Sequence, residues 1–133
     1  MESPIQAVQA PYYGGDSYTR TPPPDLPSLL LKERIVYLGL PLFSSDDVKR
    51  RVGMDVTELI IAQLLYLQFD DPEKPIRFYI NSTGTSWYDG DAVGYETEAF
   101  AICDTLQYIK PPVHTICLGQ AMGTAALILS SGT

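Results

Sequence analysis

Three short apolar, β-branched runs, separated by segments with helical periodicity, constrain this chain most. "RIVYLGLPL" (Arg34 to Leu42), "IRFYIN" (Ile76 to Asn81) and "VHTICLG" (Val113 to Gly119) each read as a strand. Gly39 and Pro41 end the first. Between the first two lies "DVTELIIAQLLYLQFDD". Asp55 is placed to cap this helix, and Glu58, three residues on, completes a capping-box pattern. Val56, Leu59, Ile60, Leu64 and Leu67 recur at helical spacing, with Ile61 and Leu65 widening the stripe. Asp70-Asp71-Pro72 stops it. "EAFAICDTLQYI" (Glu98 to Ile109) is a second helix, ended by Lys110-Pro111-Pro112. A last helix of small residues begins after the third strand. Helices of crossover length between successive strands require the strands to run parallel. The expected class is α/β, built of βαβ units, and ligands in such sheets gather at the carboxyl ends of the strands.

Two of those ends carry the informative turns, "NSTGTS" (Asn81 to Ser86) and "GQAMGT" (Gly119 to Thr124). Both bear glycine and both lead toward helix N-termini, where exposed backbone N–H groups can stabilise an oxyanion. Residues 1–27, with "TPPPDLP" at Thr21 to Pro27, hold few aliphatics and read as an extended Tyr/Pro-rich arm. Residues 28–133 form the domain proper. A chain of 133 residues that is 45% hydrophobic can bury a real core. No apolar run approaches the ~18 residues a membrane helix needs. The start "MESPIQAVQAPYYGG" has no basic n-region and no Arg-rich character, so neither a secretory signal nor a transit peptide is expected.

The net charge of −7 leaves no basic patch to displace counterions, which argues against nucleic acid and weakly against anionic membranes. Cys103 and Cys117 sit in apolar runs without metal-ligand spacing and read as buried, reduced thiols of a cytosolic protein. His114 is the only histidine, on the third strand, and reads as structural or surface. Ser130 and Ser131 fall about two helical turns past the glycine turn, and Ser82 and Ser86 have no base nearby in sequence. "DGDAVGYETEAF" (Asp89 to Phe100) begins like a calcium loop but fails at Val93 and Phe100, so an acidic surface loop is expected. No cofactor and no metal are anticipated.

Five ordered blocks carry a family resemblance: "LLKERIVYLG", "LIIAQLLYLQFDDPEKPI", "YINS", "FAICDTLQYIKPPV" and "TICLGQA". With them the chain resembles the Clp protease proteolytic-subunit family (peptidase family S14) from about Leu29 onward. The resemblance implies a ClpP/crotonase-like βαβ superhelix, here lacking the C-terminal part with its long handle helix. It also implies catalytic histidine and aspartate positions beyond Thr133, and an incomplete or truncated sequence is therefore expected. Active members read Gly-Gln-Ala-Ala-Ser-Met-Gly after the third strand; gapless alignment through "ALILSSG" puts Gly123 at the nucleophile. Their earlier turn reads Asn-Ser-Pro-Gly-Gly-Ser, against Asn81-Ser82-Thr83-Gly84-Thr85-Ser86 here. Thr83, Gly84, Thr85 and Thr124 then form degenerate oxyanion turns, with Thr85 expected to alter the loop path.

Insertions at "FSSDDVKRRVGMD" and at Tyr88 to Ala99 make the chain most similar to the non-catalytic, ClpR-type branch of cyanobacteria and plastids, and the start favours the cyanobacterial form. What this implies is a subunit that is not itself an enzyme. It would sit in a mixed heptameric ring beside catalytic Clp subunits, with an AAA+ unfoldase ATPase docking on the ring. Its place would be the cytoplasm, or the plastid stroma in a plant. The N-terminal arm would lie near the axial pore. Two alternatives are a crotonase-like thioester enzyme, which needs no serine, and a truncated regulator of ring assembly.

Overall fold

The computed structural model describes residues 25–44 and 55–133. In chain order the elements are α1 (Leu26–Lys32), β1 (Ile35–Leu38), α2 (Val56–Asp70), β2 (Ile76–Ser82), α3 (Glu96–Tyr108), β3 (Val113–Ala121) and α4 (Thr124–Ser130). Most of the N-terminal arm and of the connector after β1 lies outside the described residues.

The three strands form one parallel sheet in the order β1-β2-β3. Val36 pairs with Phe78, and Phe78 with Thr115. This is the expected α/β architecture, and it follows from the crossovers: each helix returns the chain to the edge at which the next strand must start. β2 is central and alternates strictly. Ile76, Phe78, Ile80 and Ser82 face the buried side, and Arg77, Tyr79 and Asn81 face the other. β1 ends at Leu38, short of Leu42, because Pro41 has no N–H to give the ladder. β3 runs two residues past Gly119, to Ala121, with a register shift between Ile80 and Ser82 that pairs Ser82 with Ala121.

The core lies between the sheet and helices α2, α3 and α4. Val36, Leu64, Phe78, Ile80, Ile102 and Ile128 are all fully buried there. Each such side chain contributes about 1.5–3 kcal/mol. In α2 the Asp55 carboxylate accepts from the Glu58 N–H at 2.9 Å, the cap its sequence announces. The buried stripe of α2 is Thr57, Ile60, Leu64 and Leu67. Leu59 and Leu65, expected on that stripe, are exposed, as are Tyr66 and Phe69. Helix α3 starts at Glu96, two residues earlier than expected, and buries Glu98, Ala99, Ile102 and Leu106.

Residues 26–27 are not extended: Leu26 opens α1, with Pro27 in its first turn, where a missing N–H costs nothing. Arg34 then turns the chain into β1 at φ +60°, the one non-glycine residue with positive φ among those described. Its guanidinium donates to the carbonyls of Leu67, Asp71, Lys74 and Pro75 and reaches Asp70, tying the end of α2 and the following loop to the sheet. The expectation of two buried thiols fails, because Cys117 is exposed and Cys103 half-buried. Cys117 lies on β3, the sheet edge among the described residues, in register with Ile80 of β2.

Candidate functional site

The carboxyl ends of β2 and β3 meet at one place. β3 stops at Ala121, and Met122, Gly123 and Thr124 turn the chain into α4. Gly123 has φ +56° and ψ −124°, a conformation L-residues adopt only under strain. A sharp strand-to-helix turn of this kind is the frame that, in many hydrolases, lifts a nucleophile above a parallel sheet. A Cβ at Gly123 would have only the Thr83 carbonyl oxygen within 4 Å, at 3.8 Å. The tip therefore has room for a side chain, and the residue there carries none. The turn is closed by Ala125 N–H to the Met122 carbonyl (3.0 Å) and Ala126 N–H to the Gly123 carbonyl (3.1 Å).

The β2 turn is clamped against it. The Ser82 hydroxyl donates to the Leu40 carbonyl (2.8 Å) and accepts from the Gly84 N–H (3.0 Å). Leu42 N–H donates to the Gly84 carbonyl (2.8 Å), and Met122 N–H to the Ser82 carbonyl (3.0 Å). Gly84 has φ +73°, and a Cβ there would stand 2.5 Å from Thr124 Oγ1 and 2.9 Å from the Ala125 nitrogen. Only glycine fits. Thr85 N–H donates to Thr124 Oγ1 at 3.0 Å, and the two hydroxyls lie 3.2 Å apart. Thr83 and Thr85 are each 5% exposed. Thr83 Oγ1 makes no hydrogen bond among the described residues.

The structure thus brings Thr83, Gly84, Thr85, Gly123 and Thr124 into one cluster, all five from the two glycine turns. The other candidates stand apart. His114 is exposed near the opposite end of β3, in register with Arg77. The Ser130 and Ser131 hydroxyls both donate back to the Leu127 carbonyl, so helix geometry accounts for them.

Sequence reasoning missed the fold of the first half of the Tyr88 to Ala99 insertion. Ser86 bridges Ala92 in antiparallel fashion, Trp87 N–H donates to the Asp91 carbonyl (2.8 Å), and Gly90 turns the tip at φ +93°. The Asp89-Gly90 dipeptide was the available turn signal. This small hairpin is fastened at its base by Val93 N–H to the Thr85 carbonyl (2.9 Å). Trp87 meets Phe43 edge-to-face at 5.2 Å, and Tyr88 Oη accepts from the Gln120 side chain at 2.6 Å. Among the described residues no group of three or more His, Cys, Asp and Glu is arranged to hold a metal, and no helix is long and apolar enough to cross a membrane.

The chain is similar to known proteins along most of its length. A family model described as Clp protease matches residues 24–133. An ATP-dependent Clp protease proteolytic subunit-like protein of Synechococcus elongatus is 85% identical over all 133 residues, which cover 58% of its length. The chain thus spans little more than half of that relative. The chloroplastic ATP-dependent Clp protease proteolytic subunit-related protein 3 of Arabidopsis thaliana is 51% identical over 133 residues, 37% of its length. The crystal structure of a peptidase from Plasmodium falciparum is similar with a TM-score of 0.68 and 38% identity, over 80% of this chain and 58% of that one.

These findings correct the expectation that the chain is not an enzyme. The matched family is that of a protease, and the similar solved structure is a peptidase. Reading a missing side chain as a missing activity mistook one position for the whole protein. Similarity to cyanobacterial and chloroplastic subunit-like proteins agrees with the ClpR-type branch. The chain, matched from residue 24 to its end, belongs to the Clp protease family of proteolytic subunits.

Proposed function

We propose that this chain builds part of the wall of an ATP-dependent Clp proteolytic core, in a mixed heptameric ring beside subunits whose elbows carry serine. An AAA+ unfoldase docks on that ring and feeds polypeptide into it, in the cytoplasm or the plastid stroma. The observation that carries this reading is the contrast at position 123. The elbow backbone is kept, with φ +56°, while the residue at its tip brings no hydroxyl. Such a turn, which glycine adopts without strain, makes sense where the surrounding wall must keep the family's shape. The exposed apolar residues Leu59, Tyr66 and Phe69 on α2 are the kind of surface that neighbouring subunits cover.

The test is co-expression of the full-length protein with serine-bearing Clp subunits, followed by native mass spectrometry and fluorophosphonate labelling with peptide mapping. Closed seven-membered rings containing both chains are expected, and the labelling reports which chains carry a reactive nucleophile. Arrest as small complexes would replace this reading with that of an assembly regulator.

A further inference from the structure

We infer that Thr124 is a self-supplied occupant of the carbonyl-binding position at the paired turns: its hydroxyl takes the backbone N–H of Thr85 that a bound acyl or peptide carbonyl oxygen would otherwise use. The inference rests on the reading of Gly123 as the tip of a nucleophile-type elbow. At such an elbow, oxyanion donors are the N–H of the residue after the tip and an N–H from the neighbouring loop. After Gly123 comes Thr124, and the neighbouring loop is Thr83 to Ser86.

The Thr85 N–H does point across to the elbow, but it is engaged. It donates to Thr124 Oγ1 at 3.0 Å, and Thr85 Oγ1 closes on the same oxygen at 3.2 Å. Gly84 presses on that oxygen so closely that an added Cβ would come within 2.5 Å of it. The hydroxyl is thus held by contacts on two sides, and Thr85 is only 5% exposed. A carbonyl oxygen can reach the Thr85 N–H only after Thr124 changes its χ1 rotamer. Thr124 is therefore a positioning residue that gates the donor, acting through Thr85. Neither glycine turn shows this in isolation, since the two threonines are 39 positions apart in the chain.

The experiment compares amide hydrogen exchange by NMR in the full chain for wild type, Thr124→Val and Thr124→Ser. Valine keeps the shape and removes the hydroxyl. Exchange at the Thr85 amide is expected to rise about tenfold in Thr124→Val, the effect of losing one ordinary hydrogen bond. The Val93 amide, which donates to the Thr85 carbonyl at 2.9 Å, should stay within about twofold and so report that the loop has not opened. Thr124→Ser should restore protection at Thr85. Unchanged exchange at Thr85 in Thr124→Val, a parallel rise at Thr85 and Val93, or no rescue by serine would each overturn the inference. Failure to enter a ring would discredit the proposed assembly role and leave this exchange pattern unaffected.

Discussion

Replacing Arg34 tests how this fold is pinned at the end away from the glycine turns. The guanidinium donates to the carbonyls of Asp71 at 2.7 Å, Lys74 at 2.8 Å, Leu67 at 3.1 Å and Pro75 at 3.3 Å. Its side chain is only 10% exposed, so these acceptors are largely shielded from water. The ion pair to Asp70 at 3.4 Å adds little, because that carboxylate is 55% exposed. The two shortest bonds dominate. Charge-assisted bonds of this kind contribute about 1.5–3 kcal/mol each, and the carbonyls they leave behind lose their partners. Arg34→Ala should therefore cost about 3–5 kcal/mol, a large part of an ordinary domain's stability.

Arg34→Lys should cost about 2 kcal/mol, since one ammonium cannot serve four divergent carbonyls. Arg34→Gly should be less damaging than alanine by up to about 1 kcal/mol. At φ +60° the strain of a Cβ exceeds the extra unfolded-state entropy of glycine. Urea unfolding of the full chain, followed by circular dichroism, should show the alanine midpoint lowered by roughly 2 M with the slope unchanged. A shift under about 0.5 M, or glycine weaker than alanine, would refute the reasoning from buried carbonyls and backbone strain.

Other substitutions probe the site and the surface. Gly84→Ala should cost about 3–4 kcal/mol, through backbone strain and collision with Thr124. Gly123→Ala should cost only about 1–2 kcal/mol, because its tip is open; thermal melts of the two side by side check the order. Thr83→Val removes a buried hydroxyl that has no hydrogen bond among the described residues and should raise stability by up to about 1 kcal/mol, read from the same melts. The Asp71 carboxylate is held below its ordinary pKa chiefly by the Glu73 backbone N–H, helped by the Lys74 backbone and charge and by Arg34. Its contribution is thus complete above the unfolded value and disappears as pH falls through the lowered folded value, below about pH 4. Asp71→Asn should flatten that acid limb in urea titrations. The Lys110 ammonium is raised by its hydrogen bond and attraction to Glu73. That contribution is present below the unfolded value and fades only as pH climbs past about 10.4, and Glu73→Gln should remove the alkaline slope.

Much of this protein was determined by its sequence alone. Period-2 and period-3.6 patterns set the order of strands and helices, and crossover length made the sheet parallel, because these depend on neighbours a few residues apart. The Asp55 cap, the Pro72 and Pro111 stops and the two glycine turns were legible for the same reason. So was the absence of a side chain at residue 123. What lay beyond reach was every contact between segments distant in the chain. Helix α1 was hidden by Pro27 and the proline run before it, and Leu59 and Leu65 fitted the apolar stripe of α2 yet face outward, since periodicity cannot say where a neighbouring element ends. Arg34 gave no sign that it would gather four carbonyls lying 33 to 41 positions away. The union of Thr85 with Thr124, like that of Tyr88 with Gln120, was decided only when parallel strands brought their carboxyl ends together, because hydrogen bonds act over about 3 Å of space whatever the length of chain between the partners.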